Sequence, residues 1–196
     1  MSSKVRDQAT DISRRAAIGA NDRAGDRMTN TDDRVVMSDL NSWAEYGLGL
    51  PEANGKLAIV GLTWGGGAAF RYGDFPGHNK GLKAVYIFCA LGPCHPGTSP
   101  EEFDKLGVVP PLSVASMDVP VYGFYGAADS RVLMTIPPTK KVMAAAGKKF
   151  DYVVYKGAEH AFLRIGEDPN DRNPANAAAD KASLARLEKL LKIAFK

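Results

Sequence analysis

Apolar residues along this chain fall into short blocks separated by glycine, proline and charge, and the blocks alternate between strand and helix periodicity. Leu57–Leu62 and the runs 82–89, 119–125 and Phe150–Tyr155 have strand length. The first is apolar throughout, which predicts a strand covered on both faces. Between these runs the pattern turns helical. Val36, Leu40, Trp43, Gly47 and Leu50 recur at spacings of four and three, predicting an amphipathic helix capped by Asp32 or Asp33 and stopped by Pro51 and Asn54-Gly55. A short helix is expected over 65–72. Another is expected over 137–146, with proline in its first turn and Gly147 just past its end. A closing helix over 176–195 carries Leu184, Leu187, Leu191 and Ala194, and 93–111 reads as a Pro- and Gly-containing excursion. Strands alternating with helices predict an α/β fold with a mostly parallel sheet and right-handed crossovers.

Residues 1–33 break this pattern. They hold no aromatic residue and mix charges closely, with Arg14, Arg15, Asp22, Arg23, Asp26, Arg27, Asp32 and Asp33. Such a stretch buries too little apolar surface to offset its chain entropy, so it is expected to be mobile or weakly helical, with the α/β domain over 34–196. The full length of 196 residues suits one domain, and 45% hydrophobic with 24% charged residues is a globular composition. No apolar run reaches membrane-spanning length, and the first residues carry no apolar targeting core. Two cysteines, Cys89 and Cys94, are too few for a disulfide framework, which predicts a cytoplasmic location. A net charge of +3 without a basic block argues against nucleic acid.

The chemistry gathers where strands end. Gly61-Leu62-Thr63-Trp64-Gly65 follows the first strand at the spacing of a nucleophile elbow, with Thr63 where serine or cysteine is expected. Asp129 follows the third strand and His160 the fourth. Nucleophile, acid, histidine is the chain order of an α/β-hydrolase triad. In that arrangement the histidine takes the nucleophile's proton and the aspartate fixes the imidazole tautomer. The Trp64 N–H is then placed to donate to a developing oxyanion.

These motifs resemble the dienelactone hydrolase family over about residues 34–196. The likeness is carried by Asn54-Gly55-Lys56 before the elbow strand, Trp64-Gly65-Gly66-Gly67 after the nucleophile position, Val121-Tyr122-Gly123-Phe124-Tyr125-Gly126 before the acid, and Tyr155-Lys156-Gly157-Ala158-Glu159-His160-Ala161-Phe162 around the histidine. The resemblance implies an α/β-hydrolase-type sheet and hydrolysis of a small ester or lactone. It maps the family's Cys-His-Asp triad onto Thr63, His160 and Asp129, and a substrate carboxylate onto Arg164. It implies no metal or other cofactor.

Two departures shape the expectation. A threonine alcohol must lose its proton during attack, and its branched Cβ fits poorly at the positive φ of an elbow. Family members also carry strands ahead of the elbow, and nothing in residues 1–33 resembles them. The fold is therefore expected to be reduced on that side, which puts the elbow strand at an edge: either the chain is a shortened relative, or a partner such as a second copy in a homodimer covers the edge, or the N-terminal segment does so. Two readings stand: a Thr/His/Asp hydrolase, or an inactive relative that keeps the pocket for ligand binding or interaction. Cys89 reads as a small buried hydrophobe. Cys94-His95 lacks a second ligand pair and does not make a metal site.

Overall fold

The computed structural model describes residues 32–92 and 114–196. The expected mobile segment lies outside these residues except for its last two, and so does the 93–111 excursion. Helix α1 (Asp33–Leu48) is capped by Asp32, whose carboxylate accepts the Arg34 N–H. Strand β1 (Leu57–Leu62) runs into α2 (Trp64–Asp74), followed by β2 (Leu82–Phe88), β3 (Val121–Gly126) and the short α3 (Ser130–Leu133). The chain finishes with α4 (Ile136–Ala145), β4 (Phe150–Tyr155), the short α5 (Phe162–Ile165) and α6 (Pro174–Ala194).

The four strands form one sheet in the order β1-β2-β3-β4, and every neighbouring pair is parallel. Alternate residues of β2 therefore feed two cores. Val85 and Ile87 join Met37, Phe70, Tyr72, Val121, Tyr125 and Met143 on the face covered by α1, α2 and α4. Ala84, Tyr86 and Phe88 join Tyr122, Phe124, Phe162 and Ala179 under α5 and α6. Phe88 and Phe124 stack at 4.2 Å between ring centroids, fixing the pleat at the sheet's centre.

Helix α1 is tied to α2 by polar contacts. Arg71 Nε donates to Asp33 at 2.8 Å, and the Tyr72 hydroxyl donates to Asn41 Oδ1 at 2.6 Å. Among the described residues no helix is long and apolar enough to cross a membrane.

Two expectations need correction. Strand β1 is not covered on both faces: Val60 is 42% and Leu62 48% exposed. Among the described residues it pairs only with β2, and while Ile59 packs into the core on the α2 face, Val60 and Leu62 project from the opposite face at this edge. The stripe on α1 is also rotated. Met37 and Ala44 are buried, with Val36 and Leu40 packed beside them, while Trp43 is 70% exposed and Leu50 is exposed too. Trp43 falls on the flank of the helix, where it meets Tyr46 edge-on at 6.1 Å. The apolar spacing marked the helix correctly but not the centre of its buried face.

Candidate active site

The site forms because the hydrogen-bond ladder continues past the strand ends. Thr63 N–H donates to Phe88 O at 2.8 Å, Cys89 N–H to Phe124 O at 3.0 Å, and Ala127 N–H to Tyr155 O at 2.9 Å. Each loop is thus pinned to the carboxyl end of the next strand, where ligands bind in open α/β sheets. Thr63 joins β1 to α2 with φ 52° and ψ −115°. The turn is tight: a Cβ on Gly61 would lie 2.2 Å from Gly65 O, and one on Gly66 would lie 2.4 Å from Ala90 Cβ. Only glycine fits at either position, so the sequence Gly-Leu-Thr-Trp-Gly-Gly folds as the elbow its spacing predicts.

The structure brings three of the expected residues together. Thr63 Oγ1 lies 3.3 Å from His160 Nε2, and His160 Nδ1 lies 2.5 Å from Asp129 Oδ2. Asp129 is 8% exposed, and its other oxygen accepts the Val132 N–H at 3.3 Å as the cap of α3. A carboxylate there makes Nδ1–H the donor, which leaves Nε2 to accept the Thr63 hydroxyl proton. Groups so placed can let the ring take the hydroxyl's proton while the carboxylate holds the ring in position. Trp64 is the first residue of α2, so its N–H is among those without an intrahelical partner and sits beside Thr63.

Arg164 lies on α5, one turn beyond His160. It is exposed and makes no ion pair among the described residues.

Two residues absent from the expected site also shape it. Asn176, fully buried in the first turn of α6, accepts the Glu159 N–H at 2.9 Å. Its amide donates to Glu159 Oε2 and Asp171 Oδ2, each at 3.0 Å, and so fixes the loop that carries His160. A lone Asn near a helix start gives no sign of this in the sequence. Cys89 is the second. It is 2% exposed, as expected of a buried hydrophobe, yet it stands against the acid–histidine pair. Burial pushes its thiol up. The negative Asp129 carboxylate adds to this, while backbone groups at Ala161, Phe162 and Gly126 act the other way.

Strain converges here as well. Non-glycine residues with positive φ among the described residues are Thr63, Cys89, Val114 and Ala161, and all but Val114 stand at the site. Such outliers point to function when the surrounding structure holds them. A separate cleft of about 270 Å³, lined by His78, Lys80, Lys83 and Asp118, opens at the amino ends of β2 and β3, away from Thr63.

Known proteins share this framework. A protein of Methylorubrum extorquens, provisionally named a carboxymethylenebutenolidase, is 34% identical over 138 residues, covering 69% of this chain and 44% of its own. A similarly named protein of Yersinia pestis is 29% identical, covering 72% of this chain and 50% of its own. The chain thus spans about half the length of the curated relatives it matches. Among solved structures, a provisionally named dienelactone hydrolase of Klebsiella pneumoniae superposes with a TM-score of 0.57 at 25% identity, covering 80% of this chain and 61% of that one. The Lactobacillus plantarum carboxylesterase Cest-2923 gives a TM-score of 0.60 at 11% identity, covering 82% and 66%, a likeness of fold alone. The model of the dienelactone hydrolase family matches residues 9–195, and the chain belongs to that family.

Proposed function

We propose that this chain hydrolyses small carboxylic esters or lactones, with Thr63 as nucleophile, His160 as general base and Asp129 as its orienter. The observation that carries this reading is the continuous contact from Thr63 Oγ1 through the His160 ring to Asp129 Oδ2, at 3.3 and 2.5 Å. As Thr63 Oγ attacks the substrate carbonyl, its proton passes to His160 Nε2. The Asp129 carboxylate stabilises the resulting imidazolium. The carbonyl oxygen gains the negative charge and takes a hydrogen bond from the Trp64 N–H. Collapse expels the alcohol oxygen, which receives the proton from His160. A water then attacks the threonyl ester by the same route and releases the acid.

The relatives' name denotes a hydrolase of a butenolide bearing a carboxymethylene group. That supports a lactone with a carboxylate, which the exposed Arg164 would pair. Cys89 is a free thiol, which fits the cytoplasmic placement.

One observation favours a second reading, an inactive relative that binds a ligand at this pocket. Threonine puts a methyl beside the attacking oxygen and occupies a strained φ of 52°.

Hydrolysis of a short activated ester separates the two. Thr63→Cys and, less strongly, Thr63→Ser are expected to exceed the wild type. His160→Ala is expected to remove about 10²–10⁴ of the rate, the usual share of general base catalysis. Folded wild type, Thr63→Cys and Thr63→Ser that are all inert would rule the hydrolase out and leave the binding module.

A further inference from the structure

Three side chains capable of holding a metal ion meet at the carboxyl edge of the sheet. Cys89, Asp129 and His160 each bring one ligand atom, and these atoms all lie within 4.8 Å of one another. They come from the ends of β2, β3 and β4, three segments pinned to one another by the backbone ladder. Cys89 and Asp129 are buried, while the His160 side chain is 40% exposed and gives the cluster its face to solvent.

The donor set decides the ion. A soft thiolate and a borderline imidazole beside a single hard carboxylate suit Zn²⁺, whereas Mg²⁺ and Ca²⁺ take all-oxygen sets. Three protein ligands leave a fourth tetrahedral position to water.

We propose that Cys89, Asp129 and His160 form a binding site for Zn²⁺ or a similarly thiophilic divalent cation, and that the bound ion switches the catalytic pair off. Zinc ligands stand about 2.0–2.3 Å from the ion. An ion held by Nδ1 therefore takes the place of the proton between His160 and Asp129, and their 2.5 Å contact opens around it. Binding releases the Cys89 thiol proton to solvent, while the ring keeps its single proton: coordination at Nδ1 shifts that proton through solvent to Nε2, and coordination at Nε2 leaves it on Nδ1. An imidazole held at Nδ1 carries its proton on Nε2, where it no longer accepts one from Thr63. Coordination at Nε2 occupies the base directly. The binding site stands on the ligand geometry alone, and its inhibitory effect rests on the reading of His160 as base.

The test is a titration of the whole chain with Zn²⁺ against a chromophoric chelator, and with Co²⁺ to read thiolate-to-cobalt charge transfer in the near ultraviolet. Wild type is expected to bind one equivalent and to show the band. Cys89→Ser should lose the band and bind Zn²⁺ more than about tenfold more weakly, since even outer-sphere substitutions cost that much. Cys94→Ser should keep both properties. His160→Gln, which retains the thiol, should also weaken binding and serves if Cys89→Ser does not fold.

A wild type without the band, or a band lost with Cys94 and not with Cys89, overturns the site. Zn²⁺ bound at Cys89 in an actively hydrolysing protein, with no fall in rate, overturns the switch. Since binding is read without turnover, a wild type that binds zinc but never hydrolyses esters counts against the hydrolase reading and not against the metal site.

Discussion

Thr63 holds φ at 52° with a β-branched side chain, a combination the backbone disfavours by about 1–3 kcal/mol. Its neighbours enforce it: the N–H is tied to Phe88, the carbonyl accepts from Gly66 and Gly67, and Gly61 closes the turn from below. Replacing the side chain with hydrogen removes the strain and leaves those bonds in place. Against this, glycine loses about 0.5–1 kcal/mol more chain entropy on folding. Thr63→Gly is therefore expected to be about 1 kcal/mol more stable than wild type while losing any hydrolysis. The check is the urea midpoint at unchanged slope. A variant less stable than wild type would mean that the methyl and hydroxyl of Thr63 contribute packing beyond the strain they cause.

At the level of elements, the acid–histidine pair depends on the loop between β4 and α5, and that loop hangs on Asn176 of α6. Asn176→Ala leaves the part-buried Glu159 N–H without its acceptor, at a cost of about 1 kcal/mol. Because Glu159 directly precedes His160, kcat is expected to fall more than KM changes. Asn176→Ala with wild-type kcat would show that the loop holds its shape without the amide.

The elements themselves were largely readable. β1 and β4 fall where the apolar runs put them, and α4 has proline in its first turn and Gly147 at φ 67° just beyond it. The four-residue helices α3 and α5 escaped because one turn is too short to show a period. Thr63, Asp129 and His160 were readable because strand ends mark themselves with glycine, and the parallel order places those ends on one edge. Cys89 and Asn176 were not. Their roles arise from contacts with Asp129, His160 and Glu159 that no local pattern encodes.

For the whole molecule, the sheet's second face stores a titratable weakness. Tyr86 is fully buried on β2, stacked on Tyr122 at 5.4 Å, and its hydroxyl has no hydrogen-bond partner among the described residues. Burial pushes its pKa to about 12, and burial raises Tyr125 on the neighbouring strand as well. A tyrosine in the unfolded chain titrates near about 10. Between these values the folded chain holds more protons than the unfolded one, so stability falls as pH rises. The contribution is complete below the unfolded value and lost as pH climbs through the folded one. Tyr86→Phe removes both the ionisation and the orphaned hydroxyl while keeping the ring on Tyr122. It should be no less stable than wild type at neutral pH, because an unpaired buried hydroxyl contributes nothing favourable. It should also retain its fold to higher pH in an alkaline titration followed by circular dichroism. Wild type and Tyr86→Phe unfolding at the same pH would place the alkaline limit elsewhere, with Tyr125 the next group to test. The same substitution leaves Thr63, Asp129 and His160 untouched, so ester hydrolysis at neutral pH should not change with it.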